Sequence, residues 1–318
     1  MNLASKPLWT VIVVAFLAVV PLLFPGYQTS LVTLTLIYAL LAMSVDILAG
    51  YAGRTPLCHG AIFGSATYVV MYYVTVAGGN PWVGVALGVA TAVLVSLVFA
   101  LLAVRTTGVY FLLLTLALGM IVWGVCQRWT SVTGGENGLR GNVRPDWLAD
   151  PARFYYFVLL VALAASFVMW RFVRSPFGLT LKGIRESESR MRSLGYNSTY
   201  HLVLGFLFSG LIAGISGVLY AFFNSFVSPS TVALAQSVKV LLMVIIGGVG
   251  TLFGGVVGAA IIIMLENVVS SFTERWSMVL GLLFVLTMIL APEGIVGKLR
   301  LLLGRRRLNK DQAAKHVT

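Results

Sequence analysis

The chain has 318 residues, 59% hydrophobic and only 10% charged, with a mean hydropathy of +0.95. That composition excludes a soluble globular domain, whose surface needs far more polar coverage. The formal charge of +12 does not point to nucleic acid, because the basic residues flank apolar stretches. Arg171, Arg174, Lys182, Arg185, Arg190 and Arg192 share one hydrophilic segment, and Lys298, Arg300, Arg305, Arg306, Arg307, Lys310 and Lys315 crowd the tail. Such placement holds loops on the cytoplasmic side of a membrane and brings the tail to anionic lipid headgroups.

From Leu8 to Pro292 the chain is a succession of apolar runs, most of them about 17–24 residues long and able to cross a bilayer as helices. The expected architecture is an all-α, polytopic transmembrane helix bundle of about ten spans. They are 8–24, 29–49, 60–77, 82–104, 109–126, 153–171, 201–224, 232–250, 254–271 and 276–291. Helices are favoured because unpaired backbone groups are too costly in hydrocarbon, and no alternating barrel pattern is present. The first run follows Lys6, ends at Pro25-Gly26 and offers no small-x-small cleavage site, so it reads as an uncleaved span. An even number of spans separates the basic stretch 172–200 from the tail, which places both termini inside. The expected domains are 1–297, membrane-embedded, and 298–318, a basic cytoplasmic tail.

Asp46 lies near the cytoplasmic end of the second span, within reach of water. The following segment, 50–64, is a turn or a re-entrant loop. Its Gly50, Gly53, Gly60 and Gly64 admit two readings: they line a passage where backbone dipoles meet a polar substrate, or they let helices pack closely. Gly50-Tyr51-Ala52-Gly53 is faintly echoed by Gly247-Gly248-Val249-Gly250, also at the end of a span running in the same direction. His59 is the histidine nearest this passage and reads as a hydrogen-bonded packing residue. Cys58 and Cys126 are isolated, so neither a disulfide framework nor a metal site is expected.

Two hydrophilic segments exceed ordinary turns. The loop 127–152 faces outward by parity, sets Glu136, Asp146 and Asp150 against Arg128, Arg140, Arg144 and Arg153, and carries Trp129 and Trp147 at headgroup level. Its Thr133-Gly134-Gly135-Glu136-Asn137-Gly138 is a turn cluster. The cytoplasmic stretch 172–200 contains a short helix ending at Gly195, with i,i+4 pairs Glu186–Arg190 and Glu188–Arg192 and a narrow apolar edge of Ile184, Met191 and Leu194. A membrane subunit needs such a helix to receive force from a cytosolic motor.

Gly214-Ile215-Ser216-Gly217 matches the G-x-S-G of intramembrane serine proteases, which require a histidine base. The spans after Ser216 contain none, so Ser216 belongs to a small-residue packing face. No H-E-x-x-H and no carboxylate cluster supplies other protease chemistry, and the chain is not expected to be an enzyme. Lys239 and Glu266 lie at matching depth, within about 10 Å of the outer ends of their spans at 1.5 Å per residue. They are expected to pair across adjacent helices; the other reading is that each reaches separately to the headgroups.

From about residue 30 to 300 the chain resembles the membrane subunit of branched-chain amino-acid ABC importers, the LivM-type permeases. The motifs are GYAGRTPLCHGAIFG at 50–64, GVYFLLLTLALGMIVW at 108–123, WTSVTGGENGL at 129–139, GIRESESRMRSLGYN at 183–197, LLMVIIGGVGTLFGGVVGA at 241–259 and APEGIVG at 291–297. Arg54, Pro56 and Cys58 depart from the family pattern, which has glutamine, serine and glycine there, so no substrate role carries over to those positions. The resemblance implies a bacterial inner-membrane permease that moves leucine, isoleucine or valine by alternating access. It also makes 183–195 the coupling helix, with Ile184, Arg185, Glu186, Glu188, Arg190, Met191, Arg192, Leu194 and Gly195 facing an ATPase. Two cytosolic ATPases, a second related permease and a periplasmic binding protein are the implied partners. Thr133, Gly134, Gly135, Glu136 and Gly138 then form an outer gate or the binding-protein dock. No G-x-x-x-x-G-K-[ST] loop is present, so ATP and magnesium belong to partner chains and no cofactor is expected here. Related permeases carry urea, amides or aromatic acids, and a stand-alone secondary carrier is the remaining alternative.

Overall fold

A computed structural model describes residues 26–272 continuously, with residues 15, 17–21, 278–279, 281–282, 285–286, 289 and 294–298. The chain is mostly helical: α1 (Tyr27–Asp46), α2 (His59–Thr75), α3 (Pro81–Ala103), α4 (Gly108–Arg128), α5 (Pro151–Arg174), α6 (Pro176–Glu186), α7 (Glu188–Ser193), α8 (Ser198–Asn224), α9 (Leu234–Gly247) and α10 (Gly254–Ser270). Among the described residues six helices are long and apolar enough to cross a membrane, and α10 is a shorter apolar helix. The molecule is a multi-pass membrane helix bundle. The expected spans between 29 and 271 overlap α1–α5 and α8–α10, whereas 8–24 and 276–291 lie largely outside the described residues.

α1 is the hub, buried almost from end to end and packed on α5, α8, α9 and α10. α2, α3 and α8 form a second tight group. Gly210 and Gly214 of α8 lie against Ser96 and Ala92 of α3, where an added Cβ would collide, so these backbones approach as small residues in membrane helices allow. Proline at N1 starts α3, α5 and α6, and in each case the preceding Asn80, Asp150 or Ser175 side chain accepts a hydrogen bond from an N–H of the first turn.

One addition to the all-helical expectation is a ribbon of two-residue strands, β1 (Leu139–Arg140) and β2 (Phe226–Val227), paired antiparallel. It ties the 127–152 loop to the end of α8. Arg144 fastens the same loop by donating to the Phe222 carbonyl at 3.0–3.1 Å and lying 4.1 Å over the Phe154 ring; burial lowers its pKa. At the opposite end of the bundle, α6 lies beside the segment that continues α1, and α7 packs on α6.

Candidate functional site

The charges that break the apolar rule gather at the α6–α7 end. α1 runs past Asp46 into a π-helical turn, Ile47–Tyr51, and the Asp46 carboxylate lies under the turn between α9 and α10. Asp46 is wholly buried, and its oxygens accept the backbone N–H groups of Gly250 (2.6 Å) and Leu252 (2.8 Å). The expectation that Asp46 reaches water is therefore corrected: the turn between α9 and α10 covers it. Leu252 has a positive φ of 53°, a conformation that costs a non-glycine residue about 1–2 kcal/mol, and the Asp46 hydrogen bond holds it there.

Gly50 and Gly250 touch. A Cβ on Gly50 would strike both the Gly250 backbone and the Asp46 carboxylate, so the two glycine segments that echo each other in sequence meet in space. Arg185 of α6 reaches this contact and donates through Nη1 to the Gly50 carbonyl. Its stem lies against Gly53, where an added Cβ would fall 2.7 Å from Arg185 Cγ. The Lys182 ammonium stands 5.1 Å over the Tyr51 ring. Arg54, in the link between α1 and α2, pairs with Glu188 of α7 at 2.7 Å and also donates to the Thr106 carbonyl. Burial lowers the Arg54 pKa, and the Glu188 carboxylate opposes that shift. Glu188 also holds Arg192 at 2.6 Å.

The single helix expected over 183–195 is two helices, broken at Ser187. That residue is extended, and its side chain caps α7 by accepting from Arg190 N–H. Glu186 and Arg190 consequently fall on opposite sides of the break, while the Glu188–Arg192 pair closes. Ile184 is 4% exposed and Met191 packs against Gly183, so the expected apolar edge is turned partly into the bundle. Glu186, Arg190, Leu194 and Gly195 remain exposed, and Gly195 has the left-handed φ of 87° that ends the segment.

The other glycines singled out from sequence sit at close helix contacts. Gly60 lies on Ser237, Gly64 on Val232 and Gly247 on the Gly254 backbone, while Gly248 faces Gly294. His59 shares a 2.7 Å hydrogen bond with Ser209, whose hydroxyl donates to the Ser44 carbonyl. Ser216 donates to the Ile37 carbonyl at 2.7 Å, an interhelical tie. In the far loop, Gly134, Gly135 and Gly138 all have positive φ. Thr133 fastens this turn to the Cys126 and Trp129 carbonyls, and Gln127 donates to Glu136 at 2.8 Å.

Near that loop, Lys239 of α9 forms an ion pair with Glu266 of α10. The Lys239 ammonium also stands 4.8 Å over the Tyr38 ring, and Gln236 donates to the Tyr38 hydroxyl at 2.8 Å. Sequence reasoning missed the Asp46 clasp and the Arg185–Gly50 contact. The available signal was a carboxylate one turn before a Gly-x-x-Gly, since a charge in an apolar helix demands a partner.

A family model described as "Branched-chain amino acid transport system / permease component" matches residues 27–288. The high-affinity branched-chain amino acid transport system permease protein LivM of Salmonella typhimurium is 27% identical over 87% of this chain and 71% of its own length. The corresponding LivH of the same organism is 23% identical over 84% and 93%. A probable LivM permease of Methanocaldococcus jannaschii is 22% identical over 71% and 68%. No solved structure matches the chain.

Proposed function

The chain belongs to the branched-chain amino acid transport permease family, a family of transport components and not of catalysts, and on that premise we propose that it carries leucine, isoleucine and valine across a bacterial inner membrane. It works as one of two related permease subunits, driven by two cytosolic ATPases and fed by a periplasmic binding protein. The α6–α7 end faces the cytoplasm, both termini are inside, and the whole chain makes about ten crossings. The exposed Glu186, Arg190 and Leu194 meet an ATPase.

The observation that carries this reading is the Arg185–Gly50 contact beside Gly250 and Asp46. Through it, a surface helix is tied to the end of the buried α1 beside the turn that joins α9 and α10. Displacing α6 moves the end of α1 directly and the α9–α10 turn through Asp46, which is what alternating access by rigid-body rocking requires.

The test is leucine uptake into proteoliposomes containing the assembled complex. Uptake should need ATP and binding protein, and L194C should cross-link to the ATPase, since Cys58 and Cys126 are both buried. Leucine flux through the chain alone, without ATPase, would overturn the proposal.

A further inference from the structure

Resting on that reading and deepening it, we infer that the Lys239–Glu266 pair is where a zwitterionic amino acid first enters the bundle. Lys239 takes its carboxylate and Glu266 its ammonium. Lys239 lies five residues from the start of α9 and Glu266 four from the end of α10. At 1.5 Å per residue this places both about 6–8 Å from the helix ends nearest the 127–152 loop.

Ionisable groups at such depth stand where protein or water surrounds them, because hydrocarbon does not. Yet this pair is part-open, with side chains 14% and 26% exposed. In this proposal the opening faces a polar passage, because an open ion pair facing lipid is costly. A zwitterion carries the same two charges as the pair itself. It replaces one Lys–Glu contact with two ion contacts and moves no net charge into the membrane.

The surroundings suit an aliphatic amino acid. The Tyr38 ring under Lys239 packs with those of Phe63 and Tyr220, centroids 5.1–6.1 Å apart, a buried aromatic cluster behind the pair that an aliphatic side chain can meet. The flexible stem of Lys239 lets the pair part. Parting it also separates α9 from α10, the two helices whose joining turn Asp46 grips at the other end. Occupancy of the pair and position of the seam are thereby mechanically linked.

The experiment uses the complete complex in proteoliposomes and radiolabelled leucine. In K239Q/E266Q both charges go together, leaving neither unpaired. Assembly and ATP hydrolysis should persist while leucine uptake falls roughly tenfold or more. K239E/E266K keeps the attraction but turns the ligand round, taking its side chain away from the rings, and should assemble with a comparable loss. This second variant decides the matter if the first fails to assemble. Uptake at the wild-type level by either assembled variant overturns the inference while leaving the permease reading intact. A wild-type complex that moves acetamide but not leucine overturns both, and is distinguishable for that reason.

Discussion

Both ends of the bundle carry charges inside apolar helices, and they hold them in different ways. At the α6–α7 end, Asp46 and Arg185 direct their hydrogen bonds to main-chain groups: the N–H of Gly250 and Leu252, and the carbonyl of Gly50. At the loop end, Lys239 and Glu266 meet side chain to side chain, over Tyr38. A main-chain group is fixed to its helix axis, so a charge bound to it passes on any displacement of that helix with little rotamer slack. Two long side chains have slack, can part, and can each accept another group of the right sign. The first arrangement is a joint and the second a contact that opens.

The sharpest way to break this contrast is at Asp46. Asp46→Ala orphans two buried N–H donors, each worth roughly 1–3 kcal/mol, and releases Leu252 from its left-handed backbone. The expected loss is about 2–6 kcal/mol in detergent-solubilised thermal unfolding. Asp46→Asn keeps a single carbonyl acceptor and should recover about half of that. Equal losses in the two variants would mean that the turn is not held by two separate bonds. Gly50→Ala comes next: its Cβ meets the Gly250 backbone, and overpacking of this kind costs about 1–3 kcal/mol. Uptake should fall further than stability, because the contact between α1 and the α9–α10 turn is the part displaced.

Arg54 and Glu188 sharpen the comparison, being a side-chain pair located at the joint. Arg54→Gln leaves Glu188 with Arg192 and should cost about 1–2 kcal/mol. Glu188→Gln strands the 8% exposed Arg54 and should cost more, because an unpaired part-buried cation keeps its desolvation penalty. Thermal midpoints of the two variants, measured side by side, give the order; the reverse order would show that Thr106, not Glu188, is the principal partner of Arg54.

The helices were legible because lipid leaves a chain few options. The starts of α3 and α5, where Asn80 and Asp150 cap helices that open on proline, fall within two residues of the expected 82 and 153, whereas α6 begins at Pro176, seven residues before the helix expected over 183–195. What could not be read was the ending of α1. The helix continues past Asp46 as a π turn instead of ending there, and the turn between α9 and α10 closes over the carboxylate, so Asp46 is buried and not at the rim. The break at Ser187 was hidden for a related reason. Serine is tolerated within a helix but is better as a cap, and tertiary contacts of Ile184 and Met191 with the bundle select the cap. Lys239 and Glu266 were matched by depth and sign, whereas Arg185 with Gly50 was not, because a carbonyl partner carries no side-chain signature in sequence.

The loop-end pair tests the contrast most directly. Glu266→Gln should lower stability by about 1–2 kcal/mol, because Lys239 loses its counter-charge at membrane depth. Adding Lys239→Gln should return much of that loss, since two neutral amides hydrogen-bond each other and leave no charge to compensate. The coupling between the two substitutions is then about 0.5–3 kcal/mol, read from thermal midpoints of the four chains. No second-site change can do the same for Asp46→Ala, because its partners are amides of the main chain that substitution cannot alter. Additive losses at Lys239 and Glu266 would mean that the two side chains share no energetic contact, and the distinction between joint and opening contact would fall.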